Sequence, residues 1–314
     1  MRIIEGLDEV RDGDRGASAA IGNFDGVHLG HQAVLDLARA PDMATGAPLG
    51  VVTFEPHPRE LFQPDAPPFR LMRLGARADR LAQLGVDRLF VIRFDRDFAA
   101  LTAEAFCAEV LAGRLGLSHA VVGADFRFGM KRAGDAAYLR EAGARLGFGV
   151  TIADLVGGEA GEVSSTAIRA ALAEGRAEDA TRMLGHLHRI EGVVEHGEKR
   201  GRELGYPTAN LSMAGLMLPR FGVYAVRVEV KDGPHRGQYE GVASLGVRPM
   251  FGENRPNIET YIFDFKGDLY GARLSVGLVS WQRPELKFDG LEALIEAMKA
   301  DEAEARKRLG EARR

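Results

Sequence analysis

Two histidines three residues apart lie in the segment GNFDGVHLGH, between an apolar run and a stretch with helical spacing. These residues, His28 and His31, stand among glycines at which the backbone can turn tightly. A helix that begins here presents unpaired backbone N–H groups and the positive end of its dipole, which together attract phosphate. Hydrogen bonds from the imidazoles would stabilise charge on a leaving pyrophosphate.

Two other interpretations of the histidine pair remain open. A single histidine beside a turn more often has a surface or structural role than a ligand-binding one. A histidine pair also suits zinc, but zinc needs a third ligand, and the nearby Asp25 and His57 do not form a recognised spacing with the pair.

A second segment whose residues could take part in chemistry is GVVEHGEKRGRELGYPTANL. It joins a strand-like run to a glycine-rich loop whose backbone N–H groups would wrap phosphates. It is neither a Walker A sequence nor a dinucleotide-binding fingerprint. Local chemistry alone favours a turn for PTAN, with Asn210 an ordinary turn residue. Further on, Glu259 begins the run ETYIFDF, where alternation places Tyr261 and Phe263 on its face. A glutamate on a strand is usually just solvated, but a carboxylate on the inward side of a barrel needs a reason.

The composition of the chain limits the number of domains and the kinds of partner that these segments could bind. The chain has 314 residues, of which 46% are hydrophobic, and this predicts two ordinary domains. A formal net charge of -4 provides no general basic surface, so we expect neither nucleic acid nor a membrane as a partner. Cys107 is the only cysteine, which excludes an intramolecular disulfide, and its helical surroundings predict a packed core thiol. A charged N-terminus and the lack of a membrane-length apolar run lead us to expect a soluble cytoplasmic protein.

Two patterns divide the chain. From residue 17 to about 184, short apolar runs alternate with helical stretches, which predicts a Rossmann-like α/β domain with a parallel sheet covered by helices on both faces. Two short helices are predicted at the end of this domain, in SSTAIRAALAEG and AEDATRMLG, with Ser164 or Ser165 as an N-cap. We therefore predict a first domain over residues 1–184.

The remaining residues, 185–314, contain strand-like runs at hairpin spacing, punctuated by Gly, Pro, Asn and Asp. This pattern predicts a small antiparallel β-barrel. From about Gly290 the spacing is helical again, with a charged outer face, so we expect a terminal helix lying against the barrel.

The first half resembles a known family. GNFDGVHLGH looks like the HxGH signature of the nucleotidyltransferase superfamily, and SSTAIR looks like its second signature. With FEPHPRELF and VVGADFRFG between them, this half resembles the FMN adenylyltransferase module of the bacterial bifunctional riboflavin kinase/FAD synthetase family. The resemblance implies that FMN phosphate attacks the α-phosphorus of ATP, so that no protein nucleophile is required. The implied ATP contacts are the catalytic residues His28, His31 and Arg169, with Gly22, Asn23, Phe24, Asp25, Gly30, Ser164 and Thr166; the implied flavin contacts are His57, Asp125, Phe126 and Phe128.

The second half resembles riboflavin kinase, through GRELGYPTANL, GVYAV, SLGVRPMFG and IETYIFDF. The resemblance implies that Gly201 belongs to the nucleotide-binding loop and that Thr208 and Asn210 bind both nucleotide and Mg²⁺. It also implies that Glu259 is the general base on the terminal hydroxyl of the ribityl chain. The sequence departs from the family at four positions: His186 and Leu187 replace an Arg-Pro pair, and Ser244 and Met250 stand where Asn and Thr are common. We interpret His186 and His188 as interface or surface residues.

These resemblances predict a bifunctional enzyme of flavin cofactor biosynthesis. It would phosphorylate riboflavin to FMN with ATP and Mg²⁺, and then adenylylate FMN to FAD with release of pyrophosphate. Two alternatives remain open: a riboflavin kinase fused to a nucleotidyltransferase of other or lost specificity, and a flavin-binding protein without turnover.

Overall fold

The computed structural model describes residues 1–154, 157–158, 161–196, 205–250 and 253–312. The chain divides into two compact units. Unit 1 consists of Met1–Ala66 and Leu74–Val163, and unit 2 of Pro67–Arg73 and Ser164–Arg314. The chain therefore leaves unit 1 after residue 66, contributes a short segment to unit 2, and returns.

Unit 1 is built on a parallel six-stranded sheet with the strand order β1-β4-β3-β2-β5-β8. The unit's strands are β1 Arg2–Glu5, β2 Ser18–Ile21, β3 Leu49–Glu55, β4 Arg88–Arg93, β5 His119–Gly123, β6 Arg127–Phe128, β7 Gly134–Asp135, β8 Gly149–Ala153, β9 Gly157–Gly158 and β10 Gly161–Glu162. Its helices are α1 Leu29–Thr45, α2 Pro58–Phe62, α3 Leu74–Gln83, α4 Arg96–Ala99, α5 Ala103–Ala105 and α6 Ala136–Leu146, with shorter 3₁₀ turns at Leu7–Glu9, Asp12–Asp14 and Met130–Arg132.

The sheet forms because its central strands are apolar runs that are buried on both faces. Every residue of β2 is buried, as are all but the last of β3. The predicted parallel sheet is confirmed, but β1, an edge strand of sequence RIIE, is an addition that its charged composition did not indicate.

The predicted helix around Cys107 is π-helical over Phe106–Arg114, where Leu115 N–H donates to Val110 O at 2.9 Å. Burial is the main cause that raises the pKa of the Cys107 thiol to about 12. Cys107 packs in the core of unit 1, so the prediction of a core thiol is confirmed.

Unit 2 holds a curled antiparallel sheet with the strand order β11-β16-β13-β14-β15-β12. Its strands are β11 His188–Val193, β12 Thr208–Ser212, β13 Gly222–Val230, β14 Gly237–Met250, β15 Glu253–Ile262 and β16 Arg273–Arg283, and its helices are α7 Ser165–Ala173, α8 Ala177–Leu184 and α9 Leu291–Glu311. The two edge strands approach each other at an isolated bridge between Glu195 and Asn210. The predicted antiparallel barrel is confirmed in this curled form.

The two faces of this sheet are covered differently. Its concave face encloses a core that includes Ile190, Leu211, Tyr224 and Leu278. The opposite face packs on α9 through a cluster of Ala225, Phe263, Val279, Ala305 and Leu309, which confirms that the terminal helix lies against the sheet.

Candidate active sites

The GNFDGVHLGH segment follows the carboxyl end of β2, and α1 begins within it. The sheet order reverses between β2 and its neighbour β5, because the chain continues from β2 to β3 on one side and later returns to β5 on the other. In open α/β sheets, ligands bind in the crevice at such a reversal. The fold thus puts the two histidines where this architecture accommodates a nucleotide.

The imidazoles of His28 and His31 are stacked, with ring centroids 3.7 Å apart and an interplanar angle of 19°. His28 is the N-cap of α1: its carbonyl accepts from Gln32 N–H, and its Nδ1 accepts from His31 N–H at 3.3 Å. Because Nδ1 accepts a hydrogen bond, the tautomer assigned to His28 has its N–H on Nε2. The structure therefore gives His28 an N–H donor at the helix N-terminus.

His31 is held between His28 and the ring of Phe24, whose centroid lies 4.8 Å away. Burial is the largest cause that lowers the pKa of His31 well below its ordinary value of 6.5, and His28 and Arg77 lower it further. The buried Nδ1 of His31 makes no hydrogen bond with any residue that the structure describes. A neutral imidazole with an unsatisfied nitrogen suits hydrogen bonding to a ligand better than a structural role.

The loop needs its glycines and stores backbone strain. A Cβ at Gly30 would lie 3.1 Å from the His28 ring, so a larger residue at this position would push the ring out of its present place. Phe24 and Val27 have φ of 53° and 43°, a region that a β-branched residue rarely enters. Such strain persists where surrounding contacts impose it and is common at ligand sites.

Arg77 on α3 is one of those contacts, and sequence reasoning missed it. Its side chain is 1% exposed, donates to Asn23 O at 2.7 Å and forms an ion pair with Glu55. Thr53 Oγ1 also donates to Asn23 O, at 3.2 Å. The sequence did contain a signal for Arg77: it is a basic residue on the inward-packing face of a helix. A charge buried there must have a partner.

We expect Arg77→Met to lower the free energy of unfolding by about 3 kcal/mol, because Glu55 would lose its buried counter-ion. Urea unfolding followed by circular dichroism measures this. Arg93→Met is the matched control: Arg93 is 83% exposed and 3.3 Å from Asp95, so its loss should cost less than about 1 kcal/mol. Equal effects of the two substitutions would contradict the assignment of Arg77 as the buried anchor of the loop.

The four predicted flavin contacts differ in placement. His57 is the N-cap of α2, and its Nδ1 accepts from Arg59 N–H at 3.0 Å. Asp125 is exposed just beyond the carboxyl end of β5. Phe128 is a buried member of the core of unit 1, whereas Phe126 is only half-buried and stacks on Phe128 with centroids 5.4 Å apart. Phe128 thus has a packing role, and Asp125 and Phe126 remain accessible.

The SSTAIR segment opens α7 in unit 2. Ser164 is the N-cap, as predicted, and its Oγ accepts from Ala167 N–H at 3.2 Å. Thr166 is exposed in the first turn. Arg169 donates from Nε to Phe69 O at 2.6 Å, and its guanidinium lies 5.4 Å from the centroid of the Phe69 ring. The phosphate roles of these three residues stay predictions.

In unit 2, the predicted kinase residues lie on adjacent strands. Asn210 on β12 is directly opposite Glu259 on β15, and Thr208 is opposite Tyr261. Directly paired residues of antiparallel strands point to the same face, so Asn210, Glu259 and Thr208 share one face of the sheet. The turn interpretation of PTAN is wrong, because Thr208 begins β12. The predicted Gly201 lies outside the described residues.

Asn210 is only 6% exposed, and its amide is oriented by two hydrogen bonds. Its Nδ2 donates to Thr208 O at 3.4 Å, and its Oδ1 accepts from Nδ2 of Asn257 at 3.2 Å. Asn257 is a buried asparagine two residues before Glu259 that sequence reasoning did not select. Its position in the alternation of β15, on the same face as Glu259, was the signal that pointed to it.

The structure corrects the predicted orientation of Glu259. Alternation does place it with Tyr261 and Phe263, but the face they share is opposite to the one that carries Ile258 and Ile262 into the concave core. The carboxylate is half-buried on the outer face. A barrel interior filled with aliphatic side chains leaves no place for it.

The departures from the family pattern lie at defined positions. Ser244 on β14 is directly opposite Glu259, so this substitution borders the candidate base. Leu187 packs at the edge of the cluster beneath α9. His186 is half-buried, whereas His188, on β11, is only 4% exposed, so a surface location is wrong for His188. The side chain of Met250 lies outside the described residues.

Burial lowers the pKa of His188 to about 4 from its ordinary value of 6.5, and His186 adds to the shift. As pH falls, His188 is therefore protonated in the unfolded chain before it is protonated in the folded one. The free energy of unfolding should fall as pH drops from about 6.5 to about 4. Between pH 7 and pH 5 the loss is about 2 kcal/mol. Urea unfolding followed by the fluorescence of Trp281, the only tryptophan, should show a loss smaller by about 2 kcal/mol in His188→Phe than in His196→Gln. His31 and His119, whose pKa values burial also lowers, contribute to the pH dependence of both variants. Equal pH dependence in both variants would contradict it.

The described residues offer neither a cluster for a metal ion nor a helix for a membrane. They contain no group of three or more His, Cys, Asp or Glu residues arranged to hold a metal ion. No helix among them is long and apolar enough to cross a membrane. The zinc interpretation of the histidine pair therefore gains no third ligand from the residues that the structure describes.

Comparison with known proteins assigns both halves. A FAD synthetase family model matches residues 10–167, and a riboflavin kinase family model matches residues 184–309. The bifunctional riboflavin kinase/FMN adenylyltransferase of Pseudomonas fluorescens is 43% identical over 98% of this chain and 97% of its own length. The protein of the same name from Escherichia coli K12 is 39% identical over 99% of this chain and 98% of its own.

A solved structure matches over the same extent. The crystal structure of a protein named as a macrolide-efflux protein, from Streptococcus pneumoniae, has a TM-score of 0.85 and 31% identity, covering 98% of this chain and 99% of that one. That name applies to the streptococcal protein, and the match shows that the folds are shared. With both family models and full-length relatives in agreement, the chain belongs to the bifunctional riboflavin kinase/FMN adenylyltransferase family.

Proposed function

We propose that the chain makes FAD in two ATP-dependent steps, with the residues around Glu259 serving the first and those around His28 and His31 the second. The first step transfers the terminal phosphoryl group of ATP to riboflavin and yields FMN and ADP. The second joins FMN to the adenylyl group of another ATP and releases pyrophosphate. The observation that carries the proposal is the direct cross-strand pairing of Asn210 with Glu259.

In the first step Glu259 would accept the proton of the terminal ribityl hydroxyl, which is a poor nucleophile at neutral pH. The carboxylate is half-buried beside Asn210, whose amide is fixed by Asn257. The oxygen then attacks the terminal phosphorus while the bond to the bridging oxygen of ADP breaks. Holding the two reactants in line supplies most of the rate enhancement in such a transfer.

The donor set of Thr208 and Asn210 fits Mg²⁺. Hydroxyl and amide oxygens are hard ligands, and Mg²⁺ keeps water and phosphate oxygens in its other positions. Asn210 Oδ1 accepts one hydrogen bond from Asn257, which leaves a second lone pair for a cation. When bound, Mg²⁺ would neutralise charge on the ATP phosphates. In this proposal Thr208 and Asn210 hold it.

In the second step an oxygen of the FMN phosphate attacks the α-phosphorus of ATP, and pyrophosphate leaves. The residues of unit 1 need only bind and donate hydrogen bonds. His28 accepts a hydrogen bond at Nδ1, which leaves its N–H on Nε2, and His31 has an unsatisfied nitrogen beside it. The N-terminus of α1 adds backbone N–H groups and a favourable dipole. Asp125 and Phe126 are the accessible candidates for contact with FMN.

The cytoplasmic location and the functional boundary after residue 184 stay parts of this proposal. Product analysis of the whole chain with riboflavin and ATP tests it: FMN should appear first and FAD should follow. FMN without FAD, even when FMN is supplied, would favour a kinase fused to a nucleotidyltransferase of another specificity. Bound flavin without ATP consumption would identify a carrier.

A further inference from the structure

The segment Pro67–Arg73, here called the strap, belongs to unit 2 although both its neighbours in sequence belong to unit 1. Arg70 forms a parallel bridge with Leu216, and Arg70 O accepts from Met217 N–H at 2.9 Å. Leu71 is buried in a cluster with residues of α7 and α8 and with Met217. The strap is therefore fixed to unit 2 by both backbone and side-chain contacts.

Arg73 ends the strap at the seam between the two edge strands of the curled sheet. Its Nη1 donates to Glu191 O on β11, and its Nη2 donates to Ser212 O on β12 and to Ala214 O, each at 2.9 Å. The guanidinium thus connects both edges of the sheet. Between the edges themselves, Glu195 N–H donates to Asn210 O at 2.9 Å.

A guanidinium suits this position because its planar fork donates several hydrogen bonds in fixed directions. Edge strands carry backbone carbonyls that lack a strand partner, and the bonds from Arg73 to the carbonyls of Glu191 and Ser212 are part-buried. Glu195 also supplies a nearby negative charge, which opposes the lowering of the Arg73 pKa by burial. One arginine therefore satisfies three carbonyls along the seam.

Closing the seam fixes the strand that carries Asn210. Ser212, whose carbonyl Arg73 holds, is two residues from Asn210 on the same strand face, and both pair with β15. Any slip or opening of this end of β12 would move Asn210 away from Glu259. We propose that Arg73 is a positioning residue for riboflavin phosphorylation, which holds β12 across the seam of the barrel. This inference rests on the proposed roles of Asn210 and Glu259.

The test compares Arg73→Met, which keeps much of the aliphatic stem, with Arg73→Lys, which keeps the charge but loses the fork. Arg220→Met is the matched control, because Arg220 Cζ lies 4.0 Å from the centroid of the Trp281 ring and Nη1 donates to Glu174 O, and neither partner belongs to β11 or β12. Arg73→Met should raise the Mg²⁺ and ATP concentrations for half-maximal FMN formation by about 10- to 100-fold, as loss of an outer supporting residue does. The maximal rate of FMN formation should change less. The half-maximal concentrations for Arg73→Lys should lie between those of wild type and Arg73→Met.

Amide hydrogen exchange of peptides spanning β11 and β12 supplies a readout independent of activity. Both should exchange faster in Arg73→Met than in wild type or Arg220→Met, while FAD formation from supplied FMN stays unchanged. Unchanged exchange and unchanged half-saturation would overturn the proposal, as would an equal loss of both reactions. If Arg73→Met does not fold, the same measurements of exchange and half-saturation are made on Arg73→Lys and judged in the same way. If Glu259→Gln retained kinase activity, Glu259 would not be the general base. The effect of Arg73 on the exchange of β11 and β12 would not depend on that result.

Discussion

His31→Ala is expected to reduce FAD formation from FMN by about 100- to 1000-fold while FMN formation from riboflavin continues. The substitution removes a hydrogen-bonding group next to the His28 ring at the N-terminus of α1. His28 keeps its own capping bond to the residue 31 N–H, so the helix should still begin at the same place. The two products, separated chromatographically in one assay, report both steps at once.

The lowered pKa of His31 sharpens this expectation. Because the imidazole is neutral at pH 7, its contribution is a hydrogen bond and not a positive charge. FAD formation should therefore not decline as pH rises through 6.5, whereas a site that used the imidazolium would lose activity there. His119→Gln is the matched control, since His119 begins β5 at the amino end of the sheet. Loss of both products in folded His31→Ala would contradict the division of labour.

Glu259→Gln is expected to have the reverse effect, lowering FMN formation by about 100- to 10,000-fold and leaving adenylylation of supplied FMN intact. Glutamine keeps the size and a hydrogen-bonding oxygen but cannot take up the ribityl proton. The cross-strand pairing with Asn210 and Ser244 should persist, since it depends on the backbone.

Glu229→Gln provides the matched control for Glu259, because Glu229 also lies within a strand of the same sheet, on β13. It should leave both reactions unchanged. Initial rates of ADP release with riboflavin, and of pyrophosphate release with FMN, separate the two steps. A Glu259→Gln protein that still makes FMN at the wild-type rate would remove Glu259 from the role of general base.

Much of the fold could be predicted because the determining signals are local. The strands β2 and β3 are apolar runs too short for helices, and α1 follows a glycine-containing turn. The strand β12 was missed because PTAN has turn chemistry, and what makes it a strand is pairing with β15, far away in sequence. Local propensity cannot contain that partner.

The candidate sites were predictable to a similar depth. His28, His31, Thr208, Asn210 and Glu259 stand in short motifs. The residues that hold them do not: Arg77 reads as one more charged residue of an amphipathic helix until its burial beside Glu55 is known. Asn257 likewise gains meaning only from its hydrogen bond across the strands. Supporting residues act through three-dimensional contacts that no motif records.

The strap also sets an order of events during synthesis. Arg73 and its acceptor Ser212 are 139 residues apart, so the strap leaves the ribosome long before β12 exists. All of unit 1 lies before residue 164, and it can fold while the strap is still without its sheet. Domains fold largely as units from the N-terminus, and contacts of long sequence separation form slowly. Completion of the flavin-phosphorylating unit is therefore the late event of biosynthesis, and it uses a piece of chain made early.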